Sequence, residues 1–130
     1  MTRDHFKSLV EEAIDSIPRR FAQEVENVAI VIEDEPTPDV LAEMEMGPDD
    51  ILLGLYQGTP LPERQWAHGN TLPDRITLYQ RCIEEECQQD EDEIVVAIGE
   101  TLIHELGHYF GLSEDEIMEI EERYWRGEST

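Results

Sequence analysis

A chain of 130 residues has room for one domain. It is too short for two full domains, or for a (β/α)8 barrel, which takes roughly 200 residues or more. With 9 Lys and Arg against 32 Asp and Glu, the formal charge is −23, which argues against binding a bare phosphate backbone, because that needs net positive charge. Hydrophobic residues make up 39% and are clustered and periodic rather than scattered, so one core is expected over residues 1–130 and a disordered chain is not.

The longest apolar run, Ile94–Ile98, falls far short of the roughly 20 residues that a membrane span takes. Met1-Thr2-Arg3-Asp4-His5 has no apolar stretch of the signal-peptide kind, so a cytoplasmic protein with no membrane partner is expected. Cys82 and Cys87 form no Cys-x-x-Cys pair and read as free thiols.

In chain order, Phe6, Leu9, Val10, Ala13, Ile14 and Ile17 recur at the helical period and predict an amphipathic helix over Asp4–Ile17. Pro18 interrupts it, and a short helix through Phe21, Ala22 and Val25 follows. Val28-Ala29-Ile30-Val31-Ile32 is a β-branched run closed by Pro36-Thr37-Pro38; its continuous apolarity predicts a central strand covered on both faces. Thr37–Asp50 reads as a loop, Ile51–Tyr56 as a second strand ended by Gly58, Pro60 and Pro62, Glu63–Pro73 as another loop, and Ile76–Tyr79 as a third strand. The acidic stretch Glu84–Glu93 is read as a connection. Val95, Ile98, Leu102, Leu106 and Tyr109 then predict a helix over Asp92–Tyr109, with Gly111 placed for a left-handed C-cap. Ser113-Glu114-Asp115-Glu116 has the form of a capping box opening a last helix, with Ile117, Ile120 and Tyr124 on one face, that ends near Trp125. This order predicts an α+β fold with a small mixed or antiparallel sheet.

The chemistry sits on the long helix, in His104-Glu105-Leu106-Gly107-His108. Residues four apart on an α-helix project within about 40° of each other, so the two imidazoles can hold one metal ion at ~2.0–2.1 Å. Glu105, rotated about 100° from His104, can stay off the metal yet reach a water bound to it and act as general base. Strings of this form arise by chance. Here, however, the string lies on a strongly periodic helix and uses two of the four histidines in the chain. A third ligand must come from beyond His108. On a continuous helix Glu114 would point about 240° away, so the chain has to turn back, which Gly111 permits. First-turn acids also serve the helix dipole and cap; Glu116 suits the capping box, which leaves Glu114 and Asp115 open as the ligand.

His104-Glu105-Leu106-Gly107-His108-Tyr109-Phe110-Gly111-Leu112-Ser113-Glu114 resembles the His-Glu-x-x-His-x-x-Gly-x-x-Asp/Glu signature of small bacterial zincin-like metallopeptidases. The resemblance extends to Val28–Pro36, Leu52–Leu61 and Pro73–Tyr79, which look like that family's strand segments. It implies a minimal zincin-like fold: a small twisted mixed sheet packed against the motif helix and an N-terminal helix. It further implies Zn2+ held by His104, His108 and the acid after Gly111-Leu112-Ser113, which is Glu114, with Glu105 as base. Unlike the larger metzincins, the chain has Glu114 where their third ligand is usually histidine. Its only methionine downstream of the motif is Met118, on the last helix. A gluzincin-type ligand from far downstream would have to come from Glu119 or Glu122, since only 22 residues follow His108.

The expected activity is zinc-dependent peptide-bond hydrolysis, with a peptide or protein as substrate and no nucleic acid. By resemblance, Leu52–Gly58 is the candidate edge strand for main-chain pairing with that substrate. Tyr56, Tyr79, Tyr109 and His68 are candidates to stabilise an oxyanion, although core packing explains the tyrosines and an exposed loop explains His68. Trp66 and Trp125 read as packing residues, and His5 as unrelated to the site. The competing expectation is a metal-stabilised acidic protein without turnover that binds a basic partner. Solubility alone also explains the charge.

Overall fold

The computed structural model describes residues 1–47, 50–58 and 74–125 and, at Trp125, the backbone alone. His68, Trp66, Pro60, Pro62 and the Glu63–Pro73 loop lie outside the described residues, as does the Trp125 side chain.

Helix α1 covers Arg3–Ser16, and the Thr2 side chain caps it by accepting from the His5 N–H. Phe6, Leu9, Val10 and Ala13 are its buried face, as their spacing predicts. Helix α2, Arg19–Glu24, starts just after Pro18, and a 3-10 turn over Val25–Asn27 leads into strand β1, Ala29–Glu33. Next come α3 (Pro38–Glu43), β2 (Gly54–Gln57), β3 (Arg75–Tyr79), α4 (Gln80–Glu86), α5 (Glu91–Phe110) and α6 (Glu114–Trp125). None of the helices among the described residues is long and apolar enough to cross a membrane.

The sheet is mixed and its order is β1-β3-β2. β1 runs parallel to β3, with Ile30 opposite Ile76, and β2 runs antiparallel to β3, with Tyr56 opposite Ile76. Val28–Ile32 is therefore not the central strand. Among the described residues β1 is at a margin, its positions exposed or half-buried, while β3 sits in the middle with Ile76, Thr77, Leu78 and Tyr79 all buried. Thr77 hides this in the sequence, because it counts as polar although its branched side chain packs well in a sheet.

Two further segments differ from expectation. The Thr37–Asp50 loop contains α3, because Thr37 is an N-cap, its hydroxyl accepting from the Val40 N–H at 3.2 Å, and Pro38 occupies the first turn. The acidic connection begins within α4, which buries only Gln80, Ile83 and Glu84 and so shows little periodicity. Buried Glu84 is satisfied by the Gln80 side-chain amide at 2.9 Å and faces the N-terminal ammonium of Met1 at 3.5 Å.

α5 is the hub. It packs against α1, α2, α4, α6 and strands β2 and β3. Elements on several sides explain why its buried set, including Ile94, Ile98, Leu102, Ile103 and Leu106, is wider than a single stripe, whereas Val95 is only partly buried. β2 approaches α5 closely through Gly54, where a Cβ would stand 2.5 Å from Thr101 Cγ2.

α6 doubles back along α5. Asp90 caps the start of α5, and Gly111 ends it at φ 76° and ψ 26°. Two hydrogen bonds close the bend: Leu112 N–H to Gly107 O at 2.9 Å and Gly111 N–H to His108 O at 3.0 Å, the pair that defines a Schellman turn. The capping box then forms in both directions. The Ser113 N–H donates to Glu116 Oε1 at 3.0 Å, and the Glu116 N–H to Ser113 Oγ at 3.2 Å. Farther along, Ile117 seats against Gly107 and Tyr124 against Gly99, two places where any Cβ would collide with the incoming side chain.

Candidate metal centre

The α5 spacing puts the imidazoles of His104 and His108 side by side, their ring centroids 4.8 Å apart. Ligand-capable atoms of His104, Glu105 and His108 lie within 4.8 Å of one another. The two histidines are part-exposed and Glu105 is buried, so the cluster opens to solvent on the imidazole side.

The Gly111 bend brings Glu114 to both rings. Its Oε2 lies 3.9 Å from His104 Nε2 and its Oε1 3.6 Å from His108 Nε2. Two donors each ~2.0–2.1 Å from a tetrahedral ion stand about 3.4 Å apart. The two Nε2–carboxylate separations, 3.9 and 3.6 Å, are close to that spacing, so His104, His108 and Glu114 could together hold one zinc ion. Glu116 is occupied by the capping box. Met118 is exposed on α6.

Glu105, beside the two rings, also faces the contact between α5 and β2. Its Oε1 accepts a 2.7 Å hydrogen bond from the backbone N–H of Tyr56. Burial pushes its carboxyl up to about 7, opposed by that N–H and by His104 and reinforced by the charge of Glu114. Burial, and then the neighbouring His104, hold His108 below the usual imidazole range, against the pull of Glu114. That favours the neutral ring, the form that binds a metal.

β2 is a marginal strand of the sheet among the described residues, and the Tyr56 N–H brings it beside Glu105. The tyrosine candidates are engaged in packing. Tyr56 donates its hydroxyl to Asp74 at 3.1 Å and stacks edge-on with Tyr109, whose hydroxyl donates to Glu24 at 3.2 Å. Tyr79 is buried in the central strand. His5 pairs with Glu91 at 2.7 Å, away from the cluster.

Two partners of the cluster are not apparent from the motif. One is the main-chain N–H of Tyr56, which has no signature in a side-chain pattern. The other is Glu121, whose Oε1 lies 3.3 Å from His104 Nδ1. Glu121 follows Glu114 by seven residues, two turns along one face of α6, and that spacing is the signal that could have found it.

No curated relative matches the chain. A family model described as zincin-like metallopeptidase matches residues 25–124, which takes in the three described strands, α5 with its histidines, and nearly all of α6. The match covers well over half of the chain, and the α+β fold with its small mixed sheet is consistent with it, so the chain belongs to the zincin-like metallopeptidase family.

Proposed function

We propose that the protein is a zinc-dependent peptidase in which His104 Nε2, His108 Nε2 and the Glu114 carboxylate hold the metal and Glu105 is the general base. The observation that carries this reading is the position of Glu114, whose two oxygens stand 3.9 and 3.6 Å from the two Nε2 atoms. Zinc held by these donors would supply Lewis acidity at the reacting carbonyl and to the attacking water.

The chain's own groups supply the rest. Glu105 takes a proton from the attacking water and returns it to the departing amine nitrogen, so the carboxylate ends the cycle as it began. Its buried setting, which puts its own pKa at about 7, suits both halves of that task near neutral pH. The Tyr56 N–H holds one carboxylate oxygen and leaves the other to reach the substrate. A peptide pairing in extended form along β2 would bring a main-chain carbonyl to the cluster, so we propose unfolded or flexible peptide segments as substrates.

His104→Ala should abolish stoichiometric zinc binding. Glu105→Gln should keep the zinc and lose hydrolysis of an unfolded casein and of a peptide library. Full zinc occupancy in His104→Ala, or undiminished cleavage by Glu105→Gln, would defeat the assignment. A zinc-loaded protein that cleaves nothing yet captures a basic protein in a salt-sensitive way would point to the binding role instead.

A further inference from the structure

We infer that Glu121 is a positioning residue for the metal centre: its carboxylate accepts the Nδ1–H of His104, and so fixes that ring's tautomer and aims Nε2 at the ion. This deepens the zinc reading above and rests on it.

The inference is built on the docking of α6. Ile117 seats in the Gly107 notch and Tyr124 in the Gly99 notch, seven residues apart on α6 and eight apart on α5, with the chain running back between them. Three residues before each of these anchors stands an acid: Glu114 before Ile117 and Glu121 before Tyr124. Residues three apart share a helix face, so the two anchors hold both acids against the histidine side of α5. The acids then divide the work. Glu114 lies 3.9 Å from Nε2 of His104, and Glu121 lies 3.3 Å from Nδ1 of the same ring. A neutral imidazole has one N–H and one lone pair. With Glu121 accepting at Nδ1, the proton stays there and the lone pair is at Nε2, facing Glu114. An acceptor on the nitrogen that does not bind the metal also raises the basicity of the one that does. Ser16 Oγ, 3.2 Å from the Tyr124 hydroxyl, ties the far end of α6 to α1 and steadies the same register.

The test compares the full chain with E121A and E121Q. Glu121 is a part-exposed helix residue and alanine is a better helix former than glutamate, so both variants should fold. Zinc affinity is read by competition with a chromophoric chelator. The His104 tautomer is read by 15N NMR on the metal-free protein at a pH where the ring is neutral. E121A should lose roughly 10–100-fold in zinc affinity, as removal of such partners commonly does, and its Nδ1–H tautomer population should fall. E121Q still presents an acceptor oxygen, so it should keep the tautomer and recover most of the affinity. The inference is overturned if E121A binds zinc as tightly as the parent, if E121Q is as weak as E121A, or if the tautomer is unchanged in E121A. A parent chain that binds no zinc would sink the metal reading itself, while the tautomer comparison, made without metal, would still decide the role of Glu121.

Discussion

Replacing Gly107 by alanine sets two effects of known sign against each other. In an exposed helix interior the change gains about 1 kcal/mol from backbone entropy and propensity. In α5 the added Cβ would stand 2.5 Å from Ile117 Cγ1 and 2.6 Å from Ile117 Cδ1, and Ile117 is 1% exposed, with nowhere to retreat. Forcing an extra methyl into a filled core typically costs 1–3 kcal/mol. The steric effect should win, leaving Gly107→Ala destabilised by up to about 2 kcal/mol. The sharper expectation is its dependence on background. Ile117→Ala removes both colliding atoms at a cost of about 2–5 kcal/mol. In that chain Gly107→Ala should become stabilising, by about the full 1 kcal/mol of propensity. Urea unfolding of the parent, the two single variants and the double variant, all in chelator, measures this cycle, and the coupling energy should be about 1–3 kcal/mol. Because the clash bears on the helix that carries Glu114 and Glu121, Gly107→Ala should also weaken zinc binding. If Gly107→Ala has the same effect in both backgrounds, α6 is not seated in the Gly107 notch, and the argument that places Glu114 and Glu121 fails with it.

The remaining predictions concern the acid, the bend and the metal. Burial raises the Glu105 carboxyl to about 7 in the folded chain, from near 4.5 when exposed, so between those values the folded state binds more protons and stability falls as pH rises. The neutral isostere Glu105→Gln should therefore match the metal-free parent below about pH 4.5 and exceed it above pH 7, by up to about 3 kcal/mol; a gap in urea unfolding that does not change with pH would contradict this. Gly111→Ala forces a side chain into the left-handed region at φ 76° and should cost about 1–2 kcal/mol and weaken zinc binding, with Gly111→Asn milder on both counts; a neutral alanine variant would remove the bend from the argument. Zinc at 1,000 times its dissociation constant should add about 4 kcal/mol to stability, removable with chelator and absent in His108→Ala; a thermal-shift assay with and without metal checks it.

What could be read along the chain was whatever depends on neighbours within about two turns. His104 and His108 share a face because they are four residues apart, and their rings do stand side by side. Gly111 and the Ser113–Glu116 box end one helix and start the next by hydrogen bonds that span five residues or fewer. The buried face of α1 follows directly from its spacing. The α3 signal was equally local, in Thr37 and Pro38, but a segment with no buried residue has no periodicity to reveal it.

The remainder depends on which elements meet, and no local pattern encodes that. Val28–Ile32 is apolar enough for a central strand, yet β3 takes the centre because both of its neighbours pair with it, and Thr77 is buried by position rather than by hydrophobicity. Glu105 acquires its buried setting and its Tyr56 N–H from a strand 49 residues away. Glu121 reaches His104 only because two glycine notches on α5 seat the side chains of Ile117 and Tyr124. Helix spacing is set by the geometry of the backbone, so one sequence window contains it. The pairing of strand with helix and of knob with notch is set by shape and burial between distant segments, and is decided only when the whole chain packs.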